Sequence, residues 1–198
     1  MTDFKKVAAV ALLVCTGSAT AEIIWDYGPD TGSYGGCWAN STNGQEFAEQ
    51  VIFDVDMYLT DIHIFTCISS PGGDSRIKIL DDDGAGNPGN WLYDWNQQAD
   101  AWNDVGNDLY EAIYEFDEIV LEANTIYWIG VSGNGWEHGQ ASVLTPGDGT
   151  MAQFNGGTFN FHASVGDQMF QLTGYEVPAP AGLALLGCAG LISRRRRR

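Results

Sequence analysis

Positive charge is what this sequence has least of. Of nine lysines and arginines, Lys5 and Lys6 stand near the N-terminus and five arginines close the C-terminus, so residues 22–193 hold only Arg76 and Lys78. The same stretch carries every acidic residue except Asp3, which makes 25 carboxylates and a net charge of about −23. Such a body repels phosphate backbones, which excludes nucleic acid as a partner. Catalytic signatures are missing too. There is no Gly-x-Ser-x-Gly elbow and no phosphate loop, and His63, His138 and His162 stand at no metal-ligand spacing. No Cys-x-x-Cys pair points to zinc. The expectation is a protein that is not an enzyme.

Long apolar runs are also absent from the middle of the chain and are confined to its ends. Lys5 and Lys6 precede a nine-residue run, 7–15, too short to span a bilayer, and Ala19-Thr20-Ala21 has the small-x-small pattern that signal peptidase cuts. Residues 1–21 therefore read as a secretory signal peptide, with Glu22 as the mature start. At the other end, Val177, Pro178 and Pro180 introduce a small apolar run, 181–193, closed by Arg194, Arg195 and three further arginines. This segment, 177–198, resembles the PEP-CTERM sorting signal of exported bacterial proteins, with Ala179 where that signal usually has glutamate. The resemblance implies export, recognition by an exosortase-type membrane peptidase, removal of the tail, and release or attachment at the cell surface.

The physics of the tail agrees with that topology. Residues 177–193 as a helix reach roughly 25 Å, the short end for a membrane span. Arginines collect on the cytoplasmic side, so both termini are held inward while the acidic body crosses. The chain is expected to sit transiently in the inner membrane through its C-terminal helix and then to reach the surface or the medium.

The body, residues 22–176, fits one domain with a real core. Its share of Ile, Val, Phe, Tyr and Trp argues against disorder. Once Cys15 leaves with the signal and Cys188 with the tail, Cys37 and Cys67 remain as a pair in an oxidising compartment, where a disulfide is the default.

Helical periodicity is nearly missing: 48–56 and 96–105 are the only helical candidates. Residues 23–25 read as a short opening strand, 47–55 read as a strand as well, and elsewhere too the pattern is strand. In 58–68, Tyr58, Ile62, Ile64 and Ile68 alternate with Asp61, His63 and Cys67. Ile77 and Ile79 alternate with Arg76 and Lys78, and 125–132 is apolar enough to lie centrally in a sheet. Residues 28–44 read as a Gly-rich turn region, and 84–108 as a long polar connection containing one short aromatic strand at 91–95. Strands are expected at 109–116 and 118–121, then near 140–145, 150–154, 158–162 and 168–173. Many short strands with turns at intervals of roughly ten residues predict an all-β domain, a single jelly-roll-like β-sandwich.

Three constellations are candidates for function. Trp91, Tyr93, Trp95 and Trp102 lie among Asp and Asn residues, the composition of a carbohydrate-binding surface in which rings stack on pyranose faces. The plainer reading is core aromatics covering one end of the domain, since Trp buries a large area. Asp81, Asp82, Asp83 and Asn87 surround a Gly-rich turn and supply hard oxygen ligands for Ca2+, although the spacing is not that of an EF-hand. Glu115 and Asp117 share a strand face, as a pair of glycosidase carboxylates would. The leading expectation is an exported surface or matrix-associated binding or structural module whose partner is an extracellular polysaccharide. The alternatives are a secreted glycan hydrolase using the 111–118 carboxylates, or a structural surface protein that holds calcium.

Overall fold

The computed structural model describes residues 20–30, 34–39, 45–67, 75–133, 139–143, 147, 151–155, 159–162 and 166–178. Most of the signal segment and all but Val177 and Pro178 of the sorting segment therefore lie outside the described residues. Among the described residues no helix is long and apolar enough to cross a membrane.

The described chain is all β, with fourteen strands and no helix. In order they are β1 (Glu22–Asp26), β2 (Tyr34–Ala39), β3 (Gln45–Val51), β4 (Met57–Thr66), β5 (Ser75–Asp82), β6 (Pro88–Gln97) and β7 (Ala101–Gly106). Then follow β8 (Leu109–Leu121), β9 (Tyr127–Gly133), β10 (Gly139–Val143), β11 (Met151–Asn155), β12 (Phe159–His162), β13 (Asp167–Gln168) and β14 (Phe170–Glu176).

Several expectations need correction. The helical candidate at 48–56 is the end of β3 and the coil after it, and that at 96–105 is the end of β6 and most of β7. The supposed connection 84–108 is mostly strand, and β2 lies within the supposed turn region 28–44. Local composition misleads here because Asn, Asp and Gly mark turns in isolation, whereas cross-strand pairing decides their state in the fold.

The strands form two antiparallel sheets. In the first, β1, β14, β4, β8 and β7 lie side by side. The far end of β4 also meets β10, which pairs with β2 and β13. The second has six strands in the order β12-β11-β3-β9-β5-β6. Connections between successive strands pass repeatedly from one sheet to the other, so the chain cannot bury one sheet without building the second.

One apolar cluster joins the two. Leu59, Ile62, Ile64, Tyr114, Leu121, Phe170 and Leu172 from the first sheet meet Val51, Ile77, Ile79, Ile129 and Val131 from the second. The period-two pattern of β5 and β9 places these residues inward. In β4 the phase slips. A register shift between Leu59 and Asp61 turns Leu59 inward and leaves Tyr58 outside, its ring 5.1 Å from that of Tyr175. The same irregularity in β14 falls at Gly174, where a Cβ would lie 1.9 Å from the Tyr58 carbonyl oxygen, so no side chain fits. Between β7 and β8, Asn107 and Asp108 both have positive φ, as a two-residue type I′ hairpin requires.

A buried polar contact ties the sheets across the core. The Tyr114 hydroxyl on β8 and Ser75 Oγ on β5 are 2.6 Å apart and buried, and burial pushes the phenol's pKa well up from 10.0. Replacing Tyr114 by Phe strands the Ser75 hydroxyl without filling space. The expected cost is about 1–2 kcal/mol in denaturant unfolding, and a variant as stable as the parent would show that the contact contributes nothing.

Candidate functional site

The outward face of the six-stranded sheet gathers the only two cations of the body. Register places Ala48, Gly130, Lys78 and Asp94 in one row across β3, β9, β5 and β6, and Gln50, Trp128, Leu80 and Trp91 in the next. Because Ile77, Ile79, Ile129 and Val131 point into the core, their neighbours in these rows point away from it. Ala48, Leu80, Trp128 and Ala152 form a small apolar patch on this face, with Trp128 Nε1 donating to Asp82 Oδ2 at 3.2 Å.

Beside the patch, charge is buried. Lys78 is only 3% exposed and its Nζ donates to Glu46 Oε2; Glu46 is 4% exposed. Arg76 Nε donates to Asp94 Oδ1 at 2.7 Å while Nη2 donates to Oδ2, a two-pronged fork. Trp91 roofs both cations: Lys78 Nζ lies 4.2 Å and Arg76 Cζ 4.7 Å from its ring centre. The indole itself remains 55% exposed. Burial pushes the Glu46 carboxyl above its usual range, and the hydrogen bond from Lys78 offsets only part of that. The Arg76 fork holds Asp94 below the usual carboxylate range.

Gly130 makes this seating possible. A Cβ there would lie 2.8 Å from Glu46 Oε1 and 3.0 Å from Leu80 Cδ1. Glu46 Oε1 occupies the space a side chain at position 130 would fill, and it is buried with no hydrogen-bond partner.

The aromatic quartet expected to act together is divided. On β6 the pairing shifts between Ile79 opposite Tyr93 and Leu80 opposite Trp91, so Leu92 is the extra residue of a bulge. Trp91 thereby faces outward, whereas Tyr93 and Trp95 stack with parallel rings, centres 5.3 Å apart, along the core side. Trp95 packs on the core and lies 4.4 Å from Phe116; Trp102, on β7, also packs on the core and stacks with Tyr110. Trp95 and Trp102 thus close the side between the sheets, while Tyr93, stacked on Trp95, stays exposed.

The acidic turn uses its oxygens internally. Asp82 Oδ1 accepts from the Gly84 and Gly86 amides, Asp83 Oδ1 from the Ala85 and Asn87 amides, and Asp83 Oδ2 from Asn87 Nδ2. Asp81 accepts from the backbone and side-chain nitrogens of Asn90. The backbone bond from Ala85 is the main cause that holds Asp83 below the usual carboxylate range. Among the described residues no group of three or more His, Cys, Asp or Glu is placed to hold a metal ion. Cys67 is disulfide-bonded, while the side chain of Cys37 lies outside the described residues.

The opposite outer face, on the first sheet, carries a polar chain. His63 Nδ1 lies 2.8 Å from Glu111 Oε1 and Nε2 lies 3.1 Å from Thr173 Oγ1, while Asn103 donates to Glu111 Oε2 at 2.9 Å. The contact with His63 lowers the Glu111 pKa. Asp61 stands directly opposite Glu115 in the β4–β8 register, and Glu115 and Asp117 are exposed. The Tyr175 hydroxyl donates to Glu118, which raises that phenol to about 12.

Glu46, Asp94 and Gly130 were not singled out from the sequence. The available signals were the isolation of Arg76 and Lys78 on one strand face and a lone glycine inside an otherwise apolar strand. Set against protein-family models, the chain matches none, and no curated protein matches it.

The division of the aromatics has a measurable consequence. Trp95→Ala removes half-buried ring area from the core and is expected to cost about 2–3 kcal/mol. Trp91→Ala gives up cation–ring contacts alone and is expected to cost within about 1 kcal/mol. Urea titration of both variants separates them, and equal losses would contradict the assignment of Trp91 to the outer face.

Proposed function

We propose that this is an exported surface or matrix-associated protein whose body is a jelly-roll β-sandwich that binds glycan non-catalytically. The fold part of the reading is supported by strand order. With β7 counted as a hairpin partner of β8, the sheets contain β1-β14-β4-β8 and β3-β9-β5-β6, the order of two interleaved Greek keys. One observation carries the binding part: an indole more than half exposed, backed by an Arg–carboxylate fork on the outer face of the six-stranded sheet. A pyranose stacks its C–H face on such a ring while fork oxygens and nitrogens meet its hydroxyls. Such a site acts by positioning, since it needs no proton transfer.

Glycan-array binding tests the reading. Binding by the full chain that disappears in Trp91→Ala and survives in Trp102→Phe is the expected result; no binding to any glycan would overturn it. The hydrolase alternative retains one specific observation, the opposed Asp61 and Glu115 carboxylates on the other face. Sugar release that is lost in Glu115→Gln would favour it over the binding module.

Export and sorting belong to the same proposal. They are supported by the apolar segments at both ends, the arginines that follow 181–193, and a cystine at Cys67. Mass spectrometry of the protein recovered from its host is expected to find Glu22 as the first residue, loss of the arginine tail, and Cys37 linked to Cys67. An intact chain with its arginines in the cytosol would contradict the proposal.

A further inference from the structure

The charge balance of the outer face narrows the ligand, on the premise that this face binds glycan. We propose that the ligand is a glycan bearing free amino groups, an amino-sugar polymer whose ring stacks on Trp91 and whose ammonium meets the carboxylates of Asp94 and Glu46.

Three observations converge on a cationic ligand. First, both cations of the body are already neutralised, Lys78 by Glu46 and Arg76 by Asp94, so no spare positive charge awaits a uronate or sulfate. The other 23 carboxylates of residues 22–193 surround this neutral quartet with negative potential, which draws cations toward the domain and slows the approach of anions. Second, Glu46 Oε1 has no donor although the residue is 4% exposed. A buried carboxylate oxygen without a partner is costly, and a donor supplied from outside recovers that cost. The oxygen lies over Gly130, where the strand carries no side chain, 2.8 Å from the place a Cβ would take. Third, Asp94 remains partly exposed and ionised, with its fork to Arg76 fixing the carboxylate plane and leaving further lone pairs. An ammonium presents three donors to such oxygens, and charge-assisted bonds of this kind are about twice as strong as neutral ones. An N-acetyl group or a hydroxyl at the same position brings fewer donors and no charge.

Calorimetric titration of the full chain with hexasaccharides of glucosamine, N-acetylglucosamine and glucuronate decides the matter, run at about 20 mM and about 200 mM salt. Glucosamine hexamer is expected to bind at least about tenfold more tightly than its N-acetylated counterpart, and that advantage is expected to shrink at the higher salt. Asp94→Asn and Glu46→Gln are each expected to erase most of the preference while leaving stacking on Trp91; if Glu46→Gln does not fold, Asp94→Asn alone carries the comparison. Equal affinity for the acetylated and free amines, or preference for the glucuronate, would overturn the inference. If that binding still required Trp91, the glycan-binding reading would stand while the amino-sugar assignment fell. Glucosamine binding that is unchanged in Trp91→Ala would mean diffuse attraction to the acidic surface, and both readings would fall. Absence of binding by all three hexamers would overturn the amino-sugar assignment and leave the glycan-binding reading to the array.

Discussion

Burying two opposite charges on the face of a sheet costs several kcal/mol per ion in lost hydration, and their attraction recovers this only where the geometry is complete. The Lys78–Glu46 pair meets that constraint through one carboxylate oxygen and leaves the other unpartnered, and the surrounding residues follow from it. Glu46 reaches Lys78 across β9, so the residue between them has to be small, and Gly130 is. Lys78 has to be shielded from solvent on its open side, and Trp91 does so with its ring face, which attracts cations. Arg76, two residues along the same strand face, shares that roof and needs its own counter-ion, which Asp94 supplies from the neighbouring strand. A chain with only two cations in its body has placed both here.

The two outer faces of the domain differ in kind. On the six-stranded sheet, an apolar patch adjoins a neutral charge quartet and an exposed indole. On the other sheet, His63, Glu111, Thr173 and Asn103 satisfy one another across four strands, with Glu115, Asp117 and Glu118 in solvent. The second arrangement is that of a polar sheet surface closed on itself. The first leaves a ring face and a carboxylate oxygen unspent, and recognition needs groups left over in that way. The core supports both faces through one cluster and the Tyr114–Ser75 contact, so the outward positions on β5 and β9 are fixed by their inward neighbours.

Much of the fold was legible in residue order because strand periodicity is local. The alternation around Ile77 and Ile79 and the apolar run through Ile129 and Val131 lead directly to β5 and β9. What escaped was decided by pairing. Tyr58, not Leu59, looked inward until the irregularity between Leu59 and Asp61 reversed the phase, and β7 and the two ends of β6 were hidden by Asn and Asp residues that signal turns in isolation. The site was less legible than the fold for the same reason. Spacing puts Trp91, Tyr93 and Trp95 on one face, and a single inserted residue, Leu92, sends Trp91 to the other. Glu46 meets Lys78 from a strand that is not even adjacent, a contact that no short-range pattern announces. Trp91 was singled out together with Tyr93, Trp95 and Trp102, and the bulge separates it from them.

The central claim is that the outer face around Trp91 is the working face of the domain. Indole N–H resonances of the seven tryptophans, followed by NMR during titration with a glycan that binds, test it most directly. The account predicts that the Trp91 signal shifts on binding while those of Trp25, Trp95 and Trp102 stay in place. A titration that moved Trp95 or Trp102 and left Trp91 unchanged would contradict it.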